Sequence, residues 1–324
     1  MHSDPSNAAE GITVNSSESL DAWSDLTVVR PGRVLVTGAD GLIGRAVVAA
    51  LMEAGVGVTA LSPKWDRPSP ADRIVTGDAT DVADVAEGLA DADAVVHLGA
   101  IAHRDLAPPY EVYRTNTSAT FNVLSQAGQC GISRAVIASS INAFGVPMNH
   151  HDVQPAYYPI DEDIPAQIDD WYSLSKRSDE LTAAMAASHW GIDVLAVRLP
   201  HVASRDSLRD YAARAALAPE RLAREGWSYL DLRDAVRVLL LGLVAPFDGA
   251  HVIAVAARDT LIATDTTTLL DRYAPGVPRR RTFPGRDSLI DTTRATDLLG
   301  FSPRHSIHAS EGSGPAPASV GALP

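Results

Sequence analysis

Between residue 33 and about residue 200, short aliphatic and β-branched runs alternate with stretches whose apolar positions recur at helical spacing. The runs Val34-Leu35-Val36, Val58 to Leu61, Ile74-Val75, Ala94 to Leu98, Ala135 to Ala138 and Val194 to Val197 predict six strands. Helices are predicted over 42–54 and near 82–90, 110–129 and 172–190. Alternation of this kind defines an α/β fold, a doubly wound parallel sheet covered by helices on both faces. Beyond about 200 the pattern loosens, with a helix at 231–245, a strand at 251–255 and an Ala-rich helical stretch around Tyr211 to Ala216. The expected organisation is a mobile arm over 1–30, the sheet domain over 31–200, a small substrate-facing lobe over 201–308 and a mobile tail over 309–324.

Composition narrows the function classes. The chain has 324 residues, 46% hydrophobic and 21% charged, enough to bury a sizeable core. A formal net charge of −13 argues against nucleic acid as a partner, because phosphate binding needs clustered Lys and Arg. No run of 18 apolar residues exists, so no membrane span is expected. The N-terminus lacks a basic stretch followed by an apolar core, which leaves the cytoplasm as the expected location. The single cysteine, Cys130, offers no disulfide or metal site and reads as a small buried residue. His150-His151-Asp152 reads as loop, so no metal is expected.

The first strand runs into Gly38-Ala39-Asp40-Gly41-Leu42-Ile43-Gly44 and then a helix. A Gly-rich turn brings backbone close to a pyrophosphate, and the following helix N-terminus supplies N–H donors and a favourable dipole. That context points to a dinucleotide site. Where many NAD enzymes carry an acidic residue after the second strand, this chain has Ser62, with Lys64 and Arg67 close behind. A hydroxyl with nearby cations suits a 2′-phosphate, so NADP is favoured over NAD. Tyr172 and Lys176, four residues apart on one helical face, form a second constellation. A phenol is a weak acid at neutral pH, and a neighbouring ammonium favours its ionised form.

With the leading Thr37, the Gly-x-x-Gly-x-x-Gly spacing resembles the short-chain dehydrogenase/reductase superfamily, a Rossmann fold. Further matches resemble its extended branch, the sugar epimerase/dehydratase family, over about 33 to 307. The resemblance implies that Asp78, within Gly77 to Asp81, meets the adenine amino group and that Ala79 lies beside it. Leu98, Gly99 and Ala100 would lie along the cofactor. Asn116 opens an Asn-x-x-Gly-Thr-like segment with Ala119 in the Gly place, and Pro200 follows the sixth strand. Leu298 to Pro303 resembles the family's C-terminal signature. It also implies a homodimer through a four-helix interface that includes the Tyr172 helix.

Ser139 to Gly145 resembles the family's Ser-Ser-x-x-Val-Tyr-Gly, with Phe144 replacing Tyr, which makes Ser140 the catalytic hydroxyl. Ser140, Tyr172 and Lys176 are therefore the expected triad. Tyr172 and Lys176 would also touch the cofactor, and Ser140 and Asn142 the substrate. Dehydratases of the family carry an acidic pair directly after this hydroxyl. Ile141 and Asn142 stand there instead, which argues against dehydration. His201 occupies a place where an Asn commonly touches the sugar, and Arg205 or Arg209 are candidates to pair a substrate carboxylate. Asp231 and Asp234 read as helix caps, and Arg279 to Arg281 with Arg286 as solvated charges. The expected activity is an NAD(P)-dependent dehydrogenase or reductase of a sugar-like molecule such as a uronic acid or aldose. A nucleotide-sugar epimerase with tightly bound NAD and a non-catalytic NAD(P) sensor are the alternatives.

Overall fold

The computed structural model describes residues 30–308. The expected arm and the tail from 309 lie outside the described residues. Each predicted strand forms: β1 (Arg33–Thr37), β2 (Gly57–Ser62), β3 (Arg73–Thr76), β4 (Ala94–His97), β5 (Arg134–Ser140) and β6 (Asp193–Leu199). The helices between them are α1 (Leu42–Glu53), α2 (Val82–Leu89), α3 (Pro109–Gln129) and α4 (Trp171–Trp190). The second half adds β7 (His201–Ala203), α5 (Arg205–Ala215), β8 (Tyr229–Asp231), α6 (Leu232–Val244), β9 (Ala250–Ala254), α7 (Thr266–Tyr273) and α8 (Thr293–Leu299).

Seven strands pair in the order β3-β2-β1-β4-β5-β6-β9, every pair parallel. The order reverses between β1 and β4, so a crevice opens at their carboxyl ends, the place where such sheets bind ligands. Alternating side chains feed two cores. Val34 and Val36 pack with Val47 and Leu51 of α1 and Leu239 and Leu243 of α6. Leu35 points the other way, into a core with Val123 and Leu124 of α3 and Ala183 and Ala186 of α4.

The lobe has its own core, built around Trp227, Tyr229, Leu261, Leu270 and Leu289. Its membership corrects the domain boundary expected at residue 200. Tyr158 and Ile160 come from the β5–α4 connection and join the lobe through backbone bonds, Tyr158 N to Pro278 O at 2.9 Å and Ile160 N to Leu289 O at 2.8 Å. Conversely α6 and β9 belong to the sheet unit, because β9 pairs with β6 and α6 covers the first core. The chain crosses between the two units more than once, a pattern that local hydrophobic period does not encode. A parallel pair of β7 and β8 in the lobe was not anticipated either.

Three further expectations are corrected. Cys130 is exposed at the C-terminal cap of α3 rather than buried. Asp231 caps α6, accepting from Arg233 N at 3.0 Å, but Asp234 does not cap. Asp234 instead accepts from the backbone of Arg304 and His305 at 2.8–3.0 Å and pins the C-terminal segment to α6. Arg279 and Arg281 do not simply reach into water, since they pair with Asp271 and Asp287 at 2.6 and 3.0 Å.

The tie between α4 and the sheet is a buried ion pair. Both oxygens of Glu180 on α4 accept from Arg198 on β6, at 2.7 and 2.9 Å, and Ser139 at the end of β5 donates to one of them at 2.8 Å. Burial works against the Glu180 carboxylate, but the Arg198, Ser139 and Arg177 bonds outweigh it and hold the group below its ordinary range. Stability from this carboxylate is therefore complete above the ordinary carboxylate range and is lost as pH falls through the lowered value. Glu180→Ala strands Arg198 and is expected to cost about 3–5 kcal/mol in urea denaturation, with part recovered by adding Arg198→Leu.

Candidate active site

One cleft of about 740 Å³ runs across the carboxyl ends of the strands and is lined by residues from both units. Its first part is the glycine turn. Gly38 has φ +64°, and a Cβ there would lie 2.7 Å from the backbone nitrogen of Gly99. A Cβ on Gly44 would lie 2.2 Å from the Gly38 carbonyl oxygen, so only glycine lets α1 begin against β1. Gly41 caps α1 with no side-chain hydrogen bond, which leaves the first amides of the helix open to an anion. Gly38, Gly41, Leu42, Ile43 and Gly44 all line the cleft, and these residues fit a dinucleotide pyrophosphate. Ser62, Asp78, Ala79, Leu98, Gly99 and Ala100 line it as well.

Three residues expected at the cofactor do not reach the cleft wall. Asp40 is turned aside by Arg45, which donates to its carbonyl at 2.9 Å and pairs with its carboxylate, while Asp66 N donates to it at 3.0 Å. Lys64 is exposed and pairs with Asp66 at 3.5 Å. Asn116 is buried and acts at one remove. Its Oδ1 accepts from Ile101 N at 2.8 Å, and its Nδ2 donates to Ile101 O and Ser175 Oγ at 3.1 and 3.0 Å. It thus clamps the 98–102 loop, which does line the cleft, to α4.

At the other part of the cleft Ser140, Asn142, Tyr172, Lys176, Pro200 and His201 meet. Ser140 ends β5 and caps the tight 3-10 turn Ile141–Phe144. Its Oγ accepts from both Asn142 N and Asn142 Nδ2 at 3.1 Å, so the remaining hydrogen of Ser140 is free to donate into the cleft. Tyr172 sits in the first turn of α4, whose start is fixed by Asp170 accepting from Tyr172 N and Ser173 N at 3.0 and 2.9 Å. Lys176, one turn on, donates to Ala138 O at 2.9 Å and Asp179 Oδ2 at 3.3 Å.

A directed chain of hydrogen bonds lies behind this lysine. Thr37 Oγ1 accepts from Leu98 N and Gly99 N at 3.2 Å, so its hydrogen goes to His97 Nδ1 at 2.7 Å. His97 must then carry its proton on Nε2, which faces Thr120 Oγ1 at 3.2 Å. Burial, and after it the Lys176 ammonium, push His97 down to about 3, so the ring is neutral. Burial holds the Asp179 carboxyl above its ordinary range while Lys176 and Thr120 pull it back.

On the lobe side, the His201 ring packs on Tyr211 with centroids 4.5 Å apart. The enclosing walls, and after them the Arg214 cation, hold the His201 imidazole below its ordinary range. Arg205 and Arg209 do not line the cleft. Arg205 is the first residue of α5 beside its Ser204 cap, and Arg209 bonds to Ile307 O at 3.4 Å. Sequence reasoning missed Glu225 and the placement of Tyr211, both of which line the cleft. The one local signal for Glu225 is its position directly before Gly226. Outside the cleft, His150, His151 and Asp169 gather at the surface with potential ligand atoms within 4.8 Å, a grouping the reading of 150–152 as plain loop did not anticipate.

A glycine cradle at the switch point of a doubly wound sheet, continuous with a serine, tyrosine and lysine, defines an NAD(P)-binding oxidoreductase of the extended short-chain dehydrogenase/reductase type. The chain belongs to the NAD dependent epimerase/dehydratase family, whose model matches residues 34–256. It is 25% identical to a uronate dehydrogenase of Pseudomonas putida, over 72% of this chain and 79% of that one. It is 30% identical to a 3-diazoavenalumate denitrifying reductase of a Streptomyces species, over 86% of this chain and 91% of that one. A solved short-chain dehydrogenase/reductase superfamily protein of Agrobacterium tumefaciens with bound NAD superposes with TM-score 0.62 and 25% identity, covering 85% and 93% of the two chains. Among the described residues no helix is long and apolar enough to cross a membrane.

Gly44→Val is expected to abolish binding of reduced nicotinamide cofactor, read by nicotinamide fluorescence. Tyr172→Phe keeps that binding and lowers turnover by about 10²–10⁴, the usual worth of a positioned proton donor.

Proposed function

We propose that this enzyme moves a hydride between a nicotinamide cofactor and a hydroxyl or keto carbon of a sugar-like small molecule, with net turnover of the cofactor. The observation that carries this reading is the convergence of Ser140, Tyr172 and Lys176 on the cleft that holds the glycine cradle. The nicotinamide supplies or accepts the hydride when bound. Ser140, with its hydrogen free, orients the substrate oxygen. Tyr172 gives or takes the proton on that oxygen, and the Lys176 ammonium stabilises the phenolate form. The uronate dehydrogenase relative, and an L-arabinose 1-dehydrogenase of Haloferax volcanii at 28% identity, support a sugar-like substrate.

An epimerase is the second reading, favoured by a UDP-glucose 4-epimerase of Corynebacterium glutamicum at 27% identity, of which the match covers 51%. The two readings part on the cofactor. A dehydrogenase releases it each turnover and an epimerase keeps it through purification. Offering NAD and NADP with aldoses, uronic acids, polyols and nucleotide sugars, and following reduced nicotinamide, is expected to give a signal. Silence with cofactor retained would transfer the assignment to epimerisation.

The proposal extends to NADP as preferred cofactor, because Ser62 replaces a ribose-binding carboxylate and Arg67 is exposed nearby. Ser62→Asp is expected to lower kcat/KM with NADP by about tenfold or more while sparing NAD, since a carboxylate there repels the 2′-phosphate. It extends also to a homodimer in the cytoplasm. Phe121 on α3 and Leu174 and Leu181 on α4 are 51%, 44% and 62% exposed on the pair of helices joined by Tyr113 and Ser178. That is an apolar face in want of a cover. Leu181→Glu is expected to turn a dimer into a monomer in sedimentation velocity, and an unchanged sedimentation coefficient would remove this interface.

A further inference from the structure

The lobe side of the cleft contains a carboxyl that nothing else in the mechanism uses. Glu225 ends a 3-10 turn, Pro219–Glu225, and is followed by two left-handed residues, Gly226 at φ +64° and Trp227 at φ +49°. A bulky side chain in that region is unusual and persists only where its surroundings over-determine it. Here they do. Trp227 is fully buried and its Nε1 donates to Pro219 O at 2.8 Å. Its backbone N donates to Leu222 O at 3.0 Å and its carbonyl accepts from Leu261 N at 2.8 Å. A Cβ on Gly226 would sit 2.8 Å from the Cβ of Leu289, so the turn closes against the lobe core. The result is a carboxyl delivered to the cleft wall by a rigid backbone.

That carboxyl has no hydrogen bond or ion pair among the described residues, although most other carboxylates of the lobe are tied down. Withdrawal from water pushes it up to about 7. Among the described residues the cleft wall contains no arginine, and its lysine, Lys176, is already engaged by Asp179. A carboxylate or diphosphate on a substrate needs a cationic fork to replace its hydration. This wall offers the opposite charge, flanked by the Tyr211 hydroxyl and the His201 ring.

We propose that Glu225 is a specificity residue that accepts a hydrogen bond from a substrate hydroxyl, so that the site takes uncharged polyhydroxylated substrates and rejects carboxylates and diphosphates. The inference rests on the hydride-transfer reading above and narrows it, choosing the aldose side over the uronate side and over nucleotide sugars.

The test compares pairs that differ in one charge, galactose with galacturonate and cyclohexanone with 4-oxocyclohexanecarboxylate, using both cofactors between pH 6 and 9. The neutral member is expected to have the higher kcat/KM by about tenfold or more at pH 8, since like charges meeting in a cleft are strongly disfavoured. The gap should narrow towards pH 6, where Glu225 gains its proton. The groups facing it hold steady over that interval: His201 on β7 is held low and Tyr211 on α5 is pushed up to about 12. Glu225→Gln should close the gap and Glu225→Arg should reverse it, with binding of reduced cofactor retained in both. Folding of the Gln variant is read by its melting temperature. The raised carboxyl makes the wild type lose stability as pH rises between the ordinary carboxylate range and about 7, so Glu225→Gln should melt higher than wild type at pH 8 and not at pH 5.

A wild-type preference for the acid, or an unchanged ratio in a folded, cofactor-binding Gln variant, overturns the proposal. Silence on the sugars with turnover of the ketones removes the sugar reading and leaves the ketone ratio to decide this one. Silence on every pair overturns both.

Discussion

The pairing of Glu180 with Arg198 is the constraint on which the geometry of the proposed catalytic trio rests. It is the point where helix, sheet and strand end are locked together: α4 contributes the carboxylate, β6 the guanidinium and β5 the Ser139 hydroxyl. Ser140 is the next residue on β5, and Lys176 and Tyr172 lie one and two turns back along α4. A shift of α4 along the sheet would therefore part the serine from the tyrosine before it disturbed much apolar packing. Buried ion pairs add little net stability over apolar contacts of equal size. Their value here is positional.

A second buried network connects the two functions of the cleft. Thr37 ends the strand that enters the glycine turn, and its hydroxyl gathers the amides of Leu98 and Gly99, which line the cofactor half. From Thr37 the donors point in one direction, through neutral His97 to Thr120, beside the Asp179 carboxyl that faces Lys176. The order of donors fixes the tautomer of His97. Asp179 balances the lysine charge in a region where an unpaired ammonium would be costly.

What was legible in the sequence was what local pattern encodes. Strand and helix boundaries in the first 200 residues follow from period, and the glycine turn from its strand–turn–helix setting. Tyr172 and Lys176 came from motif spacing and Ser140 from the family resemblance, and all three line the cleft. What was not legible depends on contacts distant in sequence. Asp40 has the right position for a phosphate loop but meets Arg45 and Asp66 instead. Arg205 sits near the pocket in sequence but heads a helix whose residues facing the cleft begin at Tyr211. Glu225 was invisible because its role depends on the left-handed turn that follows it, and a tryptophan is the last residue one would expect there. The lobe boundary failed for the same reason, since residues 157–160 join a core most of whose other members lie beyond residue 200.

That interleaving bears on how the chain can assemble. Ribosomal synthesis delivers Ser140, Tyr172 and Lys176 together with β1 to β6, yet β6 gains its outer neighbour only when β9 has emerged, some fifty residues later. Until then a wholly buried strand of the finished sheet presents an open edge with unpaired amides, and the α6 cover is also missing. Parallel edges of this kind are the slow and association-prone stage of α/β folding. The lobe is thus not an appendage that could be trimmed to leave a smaller catalyst. The stretch that shapes the pocket is also the tether that brings the last strand home, so recognition and foldability are carried by the same segment and are lost or altered together.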